Sequence, residues 1–179
     1  SPVSTAPNKN TSGAWEFIEL NHRCNLLLWA EEDLARRTEV ADSEIAANKR
    51  AIDRFNQQRN DAIERLDEII LQRTSQIALR RNARLHSETV GAMIDRLSIM
   101  SLKIHHMRLQ TQRADVSSLH VEQCNEKLSR LIAQRDDLKA CLDALLSDMK
   151  RGDAYYKIYR QFKMYNDPSL NPYLRGKSL

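Results

Sequence analysis

Thr89-Val-Gly-Ala-Met-Ile-Asp-Arg-Leu-Ser-Ile-Met-Ser-Leu-Lys-Ile-His-His-Met-Arg-Leu109 is the stretch that decides the fold class. Read at helical period, it carries Val90, Met93, Leu97, Met100, Ile104 and Met107 down one side. Asp95, Ile99, Leu102 and His106 run down nearly the opposite side. A surface helix buries a single apolar stripe, so a helix with two lies between neighbours on both sides. The stretch therefore reads as the central helix of an all-α protein. The expected architecture is an antiparallel bundle of about four long helices, followed by a short C-terminal helix and an extended tail.

Working outward, the breakers agree. The 4 glycines and 4 prolines cluster toward the chain ends, and between Gly13 and Gly152 only Gly91 interrupts, as in long helices and unlike sheets with tight turns. The length of 179 residues suits one core. The chain divides into an irregular N-terminal arm at 1–13, a bundle domain at 14–165 and an extended tail at 166–179.

A first helix is expected over 14–37, with one seam of Trp15, Ile18, His22, Leu26 and Trp29 and another of Phe17, Leu20, Cys24, Leu27 and Leu34. Asp42-Ser43-Glu44 opens a second helix that continues to about 77, with Ile45, Ile52, Phe55, Ile63, Leu66 and Ile70 as its seam. Arg59 falls on that seam, where a long cationic side chain commonly buries its stem and keeps its head in water; the alternative is a helix that lines something polar. Thr89 or Ser87 caps the central helix, and Asp115, Ser117 or Ser118 caps a fourth. The fourth helix has a coiled-coil-like seam of Val121, Cys124, Leu128, Leu131, Arg135, Leu138, Leu142, Leu145 and Met149, and Gly152 stops it. All 5 tyrosines lie between 155 and 173, where Tyr155, Tyr159 and Phe162 make one stripe of a short helix over 153–165.

The net charge of +4 is unevenly spread: residues 78–113 hold seven Arg or Lys against two acids, and residues 151–179 hold six against two. An anionic partner would be met there. Nucleic-acid binding would rest on these two segments alone and is not favoured. The 3 cysteines, Cys24, Cys124 and Cys141, lack metal-site spacing and read as small core hydrophobes in a reducing compartment. The longest wholly apolar run, residues 26–30, is far too short to cross a bilayer, so a cytoplasmic protein without a membrane span is expected.

No arrangement names a reaction. Glu19 and His22 have the Glu-x-x-His spacing of di-iron bundles, but the second copy that such a site needs is missing, so no metal and no cofactor is expected. His22 reads instead as a seam histidine hydrogen-bonded near Trp15 and Trp29. Asp95 shares a seam with apolar residues and must be paired, with Arg59, Arg36 or the arginines of the last helix as candidates. Tyr159, Arg160, Lys163 and Tyr165 interleave aromatics with cations and are candidates for meeting an anionic partner.

Four blocks carry a family resemblance: His22-Arg-Cys-Asn-Leu-Leu-Leu-Trp29 with Glu32-Asp33-Leu-Ala-Arg36; Glu44-Ile-Ala with Lys49-Arg-Ala-Ile-Asp53 and Asn56-Gln-Gln-Arg-Asn-Asp61; Ser87-Glu-Thr89 with Ile94-Asp-Arg-Leu-Ser-Ile99; and Tyr159-Arg-Gln-Phe-Lys-Met-Tyr-Asn-Asp-Pro168. In this order they resemble the bacterial all-helical family called domain of unknown function 4254, over residues 15–174. The chain departs from the pattern at Ala30, His86 and Val90, in place of His, Asn and Pro. The resemblance supplies no catalytic residues and implies a place in polysaccharide or lipopolysaccharide assembly. The polar residues of the blocks, Glu32, Asp33, Arg36, Asn56, Arg59, Asn60, Asp61, Asp95 and Arg96, are the candidates for an internal polar network or ligand cleft.

The expected function is that of a non-enzymatic interaction or accessory protein, a homo-oligomer with a dimer favoured, with a protein partner in cell-envelope glycan biosynthesis. The alternative is a binding module or enzyme for an anionic small molecule such as a nucleotide sugar, held by Arg59, Arg96, Arg160 and Lys163 near Tyr159.

Overall fold

The computed structural model describes residues 13–160 and 163–175. Of the expectations above, the N-terminal arm short of Gly13, Phe162 and the last four residues of the tail lie outside the described residues. Four helices carry the fold: α1 (Ala14–Leu34), α2 (Asp42–Thr74), α3 (Val90–Thr111) and α4 (Ser118–Arg151). α1 and α2 form one antiparallel hairpin, tied across its open faces by Asn48 Nδ2 donating to Glu31 Oε2 at 2.8 Å. α3 and α4 form a second.

α3 packs against each of the other three helices, as its two apolar sides require. On one side Val90 and Met93 join Leu138, Leu142, Leu145 and Met149 of α4 in the main buried cluster, which also takes in Tyr156. The opposite side presents Asp95 and Leu102, both buried, to the first hairpin. The expected seam of α4 is thus used within the chain, against α3. Caps fall where small hydroxyl residues precede the apolar runs: Thr89 Oγ1 accepts from the Ala92 N–H at 3.1 Å and Ser117 Oγ from the His120 N–H at 3.2 Å. Gly152, with φ +75°, ends α4 in the left-handed conformation that glycine adopts without strain.

Gly91 explains how α2 and α3 come so close. A Cβ there would sit 2.7 Å from the Ile63 carbonyl oxygen and 2.9 Å from Asp67 Oδ1. Without one, the Gly91 N–H donates to Asp67 Oδ1 at 2.6 Å, so a carboxylate of α2 satisfies an orphan donor in the first turn of α3.

Several expectations are corrected. The buried face of α1 is a strip of Asn21, Cys24, Asn25 and Leu28, which shares only Cys24 with the expected seams, while Trp15 is 67% and Leu26 43% exposed. Those amides go inward because they meet Asp95. Cys24 and Cys124 are buried as expected, whereas Cys141 is exposed on α4.

The short C-terminal helix over 153–165 is replaced by a parallel two-residue ladder: β1 (Arg84–Leu85) pairs with β2 (Ala154–Tyr155). The Arg84 N–H donates to the Asp153 carbonyl and the His86 N–H to the Tyr155 carbonyl, both at 2.8 Å, so that backbone is bonded between two distant segments rather than along a helix. Tyr156, off the expected stripe, is the buried tyrosine at 3% exposed, and its hydroxyl donates to the Asp67 carbonyl at 3.1 Å; Tyr159 is exposed. The tail is not extended where it is described: a 3₁₀ turn, Met164–Asn166, leads into a turn in which Asp167 Oδ1 accepts from the Ser169 N–H at 2.7 Å.

Gly91→Ala is expected to lower unfolding stability by about 1–3 kcal/mol, because backbone stands where the methyl would go. Urea denaturation measures it, and a cost no larger than about 0.5 kcal/mol, the scatter of an ordinary surface change, contradicts the close approach.

Candidate functional site

The site begins with a carboxylate that folding takes out of water. Asp95 of α3 is 9% exposed, and α1 answers it with an amide pair one helical turn apart. Asn21 Nδ2 donates to Asp95 Oδ1 at 2.8 Å and Asn25 Nδ2 to the same oxygen at 2.9 Å. Asn25 Nδ2 also lies 3.0 Å from Ser98 Oγ, which in turn pairs with His22 Nδ1 at 2.9 Å. His22 is therefore an exposed ring on Ser98, not a seam residue beside the tryptophans. Among the described residues no three His, Cys, Asp or Glu side chains cluster as a metal site.

α2 supplies the counter-charge. Arg59 Nε stands 3.9 Å from Asp95 Oδ1, close enough for an ion pair and too far for a hydrogen bond. The nitrogen is buried and has no hydrogen-bond partner among the described residues. The Arg59 side chain as a whole is 27% exposed, so its stem and Nε are buried while the rest of the side chain keeps access to the surface, as expected of a long cation on a seam; the surroundings of this part of α2 are also polar.

That space is a run of three recesses, each of them lined by Arg59. The first, of about 310 Å³ between α1, α2 and α3, has an apolar wall of Leu28, Trp29, Ile99 and Leu102 and a polar rim that includes Glu32, Asp33, Arg36 and Asn56. The second, about 560 Å³, lies between α2 and the C-terminal segment, with Lys49, Asn56, Asn60, Lys163 and Tyr165 on its walls. The third, about 380 Å³, reaches from Asn60 and Glu64 past Asp95 and Arg96 to Tyr159.

Of the nine polar candidates of the sequence, eight line this run; Asp61 does not, because it faces outward and accepts from Gln57 Nε2 at 2.7 Å. Of the four C-terminal candidates, Tyr159, Lys163 and Tyr165 line it. Arg160 is committed elsewhere, to Glu64 and to Glu68 Oε1 at 2.8 Å, a pairing that holds the Glu68 carboxyl below its ordinary value.

Most charges around the groove are already matched. Arg36 reaches Glu32 at 2.9 Å, Lys49 reaches Asp53 at 2.8 Å and Arg96 reaches Glu88 at 2.6 Å. Lys163 Nζ is held by an amide oxygen, of Gln57, at 3.3 Å. The positive charge that faces the recesses without a hydrogen-bonded carboxylate is therefore that of Arg59, with Lys163 beside it.

Sequence reasoning missed Asn21, Asn25, Ser98 and Trp29. A usable signal existed for the first two: two amides spaced i and i+4 inside an otherwise apolar helix lie on one face and call for a buried polar partner.

The opposite end of α2 carries the other buried acid. Burial raises the Asp67 carboxyl above its ordinary 3.8, against the lowering effect of hydrogen bonds from Thr89 and Gly91. The proton is then bound more tightly in the folded chain than in the unfolded one. The resulting stabilisation is present below the unfolded carboxylate range and is lost as pH rises through the folded value. Asp67→Asn, which keeps an oxygen for the Gly91 N–H, should therefore gain stability relative to the wild type as pH is raised from about 4. A difference between the two in urea midpoints that stays flat with pH contradicts this. Asn25→Ala removes a donor from a buried carboxylate and should lower stability by roughly 1.5–3 kcal/mol. Asp61→Ala, on the outer face, should stay within about 0.5 kcal/mol in the same denaturation measurement.

Comparison with curated proteins and with solved structures gives no match. A family model does match, over residues 15–158, under the description "Protein of unknown function (DUF4254)". The match holds three of the four blocks that carry the resemblance and stops just short of the fourth, which begins at Tyr159. With its helical core matched from Trp15 through Ile158, the chain belongs to the DUF4254 family.

Proposed function

We propose that this protein binds an anionic, hydroxyl-rich small molecule of the nucleotide-sugar class in the groove centred on Arg59. The observation that carries the proposal is Arg59, a partly exposed cation with no hydrogen-bonded carboxylate among the described residues, at the meeting of three recesses. An acceptor oxygen of a phosphate or carboxylate entering a recess would meet the accessible part of this guanidinium, 27% exposed as a side chain, with a charge-assisted bond. The rest of the lining fits the same class. Paired carboxylates, guanidinia and amides offer planar donor and acceptor sets for hydroxyl groups, and each recess has the volume of an ordinary ligand pocket. Binding is the function that this lining supports.

A second reading, an oligomeric accessory protein of glycan assembly in the bacterial cytoplasm, draws its glycan context from the family resemblance alone. What favours oligomerisation is α4, which buries only Cys124, Leu138, Leu142, Leu145 and Met149 and leaves Leu119 60% exposed. Light scattering of the purified protein at micromolar concentration decides this part, with a monomer mass ruling it out.

The ligand reading is tested by thermal shift with nucleotide sugars, sugar phosphates and nucleotides. At a hundredfold excess over Kd a ligand that binds only the folded state adds about 2.7 kcal/mol. For a chain of this size that raises Tm by roughly 5–10 °C. The rise should vanish in Arg59→Met and persist in Asp61→Ala. A flat response to the whole panel removes the proposal.

A further inference from the structure

The three recesses differ in chemistry, and the difference assigns parts of a ligand to places. The first is the apolar one, and its wall holds Trp29. That ring does not move freely: it stacks on His106 with centroids 4.3 Å apart and planes within 2°. His106 itself is braced edge-on by His105 at 5.4 Å. His106 does not line this recess; it lines an adjoining hollow with Lys103 and Met107, and Trp29 and Asp33 line both. A tryptophan held in place by stacking and lining an apolar recess suits a planar ring, because stacking gains most where neither partner loses rotamer freedom.

Two further observations point to a ring with polar edges rather than to an aliphatic group. Asn25, Glu32, Asp33 and Asn56 stand at the margin of the slot, offering amide and carboxylate groups to ring N–H and amino edges. Arg59 closes its inner end and continues into the second recess, where Lys49 and Lys163 stand. A phosphate chain on Arg59 and Lys163 would place an attached ring against Trp29.

We infer that the Trp29 recess is a nucleobase subsite, so that the ligand of the Arg59 groove is a nucleotide and not a sugar phosphate. This rests on the ligand reading above, and the test separates the two. Trp15 is 67% exposed and Trp29 is the only other tryptophan, so Trp15→Phe leaves a chain whose indole fluorescence reports Trp29 alone. The probes are UDP, GDP and inorganic pyrophosphate, followed by fluorescence and by thermal shift.

Expected is a saturable quench of Trp29 by at least one nucleoside diphosphate over the concentrations that raise Tm, with pyrophosphate raising Tm without quenching. Trp29→Leu should weaken the nucleoside diphosphate at least tenfold and leave pyrophosphate within twofold. The quench in the Trp15→Phe chain keeps the inference testable if Trp29→Leu does not fold. Equal affinity for pyrophosphate and both nucleoside diphosphates, with no quench, overturns the nucleobase subsite while the Arg59 groove stands. Absence of binding by all three overturns both.

Discussion

A buried carboxylate must be met by donors, and in this protein Asp95 is met from two helices at once. Leaving an ionised group in the interior without partners costs several kcal/mol, far more than any surface pairing returns. Asn21 and Asn25 on α1 supply two hydrogen bonds, and Arg59 on α2 supplies a charge at 3.9 Å. These contacts set the rotation of α1, so that its amides face inward and its more apolar flanks, Trp15 and Leu26, are left toward solvent. The arrangement reverses the usual order of burial on one helix because three residues satisfy one another there.

The same constraint makes the groove. Arg59 approaches Asp95 without reaching hydrogen-bond distance, and its Nε is left unpaired where α1, α2 and α3 diverge. Farther along, α2 and α3 close tightly: Gly91 lets the backbone of α3 touch Ile63 and Asp67, and the Asp67 carboxylate caps the helix that begins there. The two helices thus touch at Gly91 and face each other through the Arg59–Asp95 pair farther along. Above this opening the C-terminal segment lies along α2, anchored by buried Tyr156 and by the ion pairs of Arg160 with Glu64 and Glu68. Exposed ion pairs of this sort contribute little each, so the anchoring that matters is the tyrosine.

How the chain belongs to its family and how its site is built are separate matters. The matched residues 15–158 contain the helical core and Arg59, Asp95, Asn21 and Asn25. Lys163 and Tyr165, which wall the second recess, lie beyond them.

What the sequence by itself determined was local. The two-sided period of 89–109 made α3 central, the single glycine between the ends made the helices long, and hydroxyl residues ahead of apolar runs placed the caps of α3 and α4. These features are written in nearest neighbours along the chain, so they can be read there. Most of the polar residues that line the groove were also legible as candidates, although not that Asp61 faces away. Three things were decided only by tertiary structure. The C-terminal segment is a strand and turns rather than a helix, because its backbone donors and acceptors are claimed by residues 84–86, some seventy positions distant. α1 turned its amides inward because Asp95, seventy and seventy-four residues away, needed them. And Arg59 stands beside Asp95 at the meeting of three recesses, which depends on how α1, α2 and α3 pack, and no pattern within α2 records that.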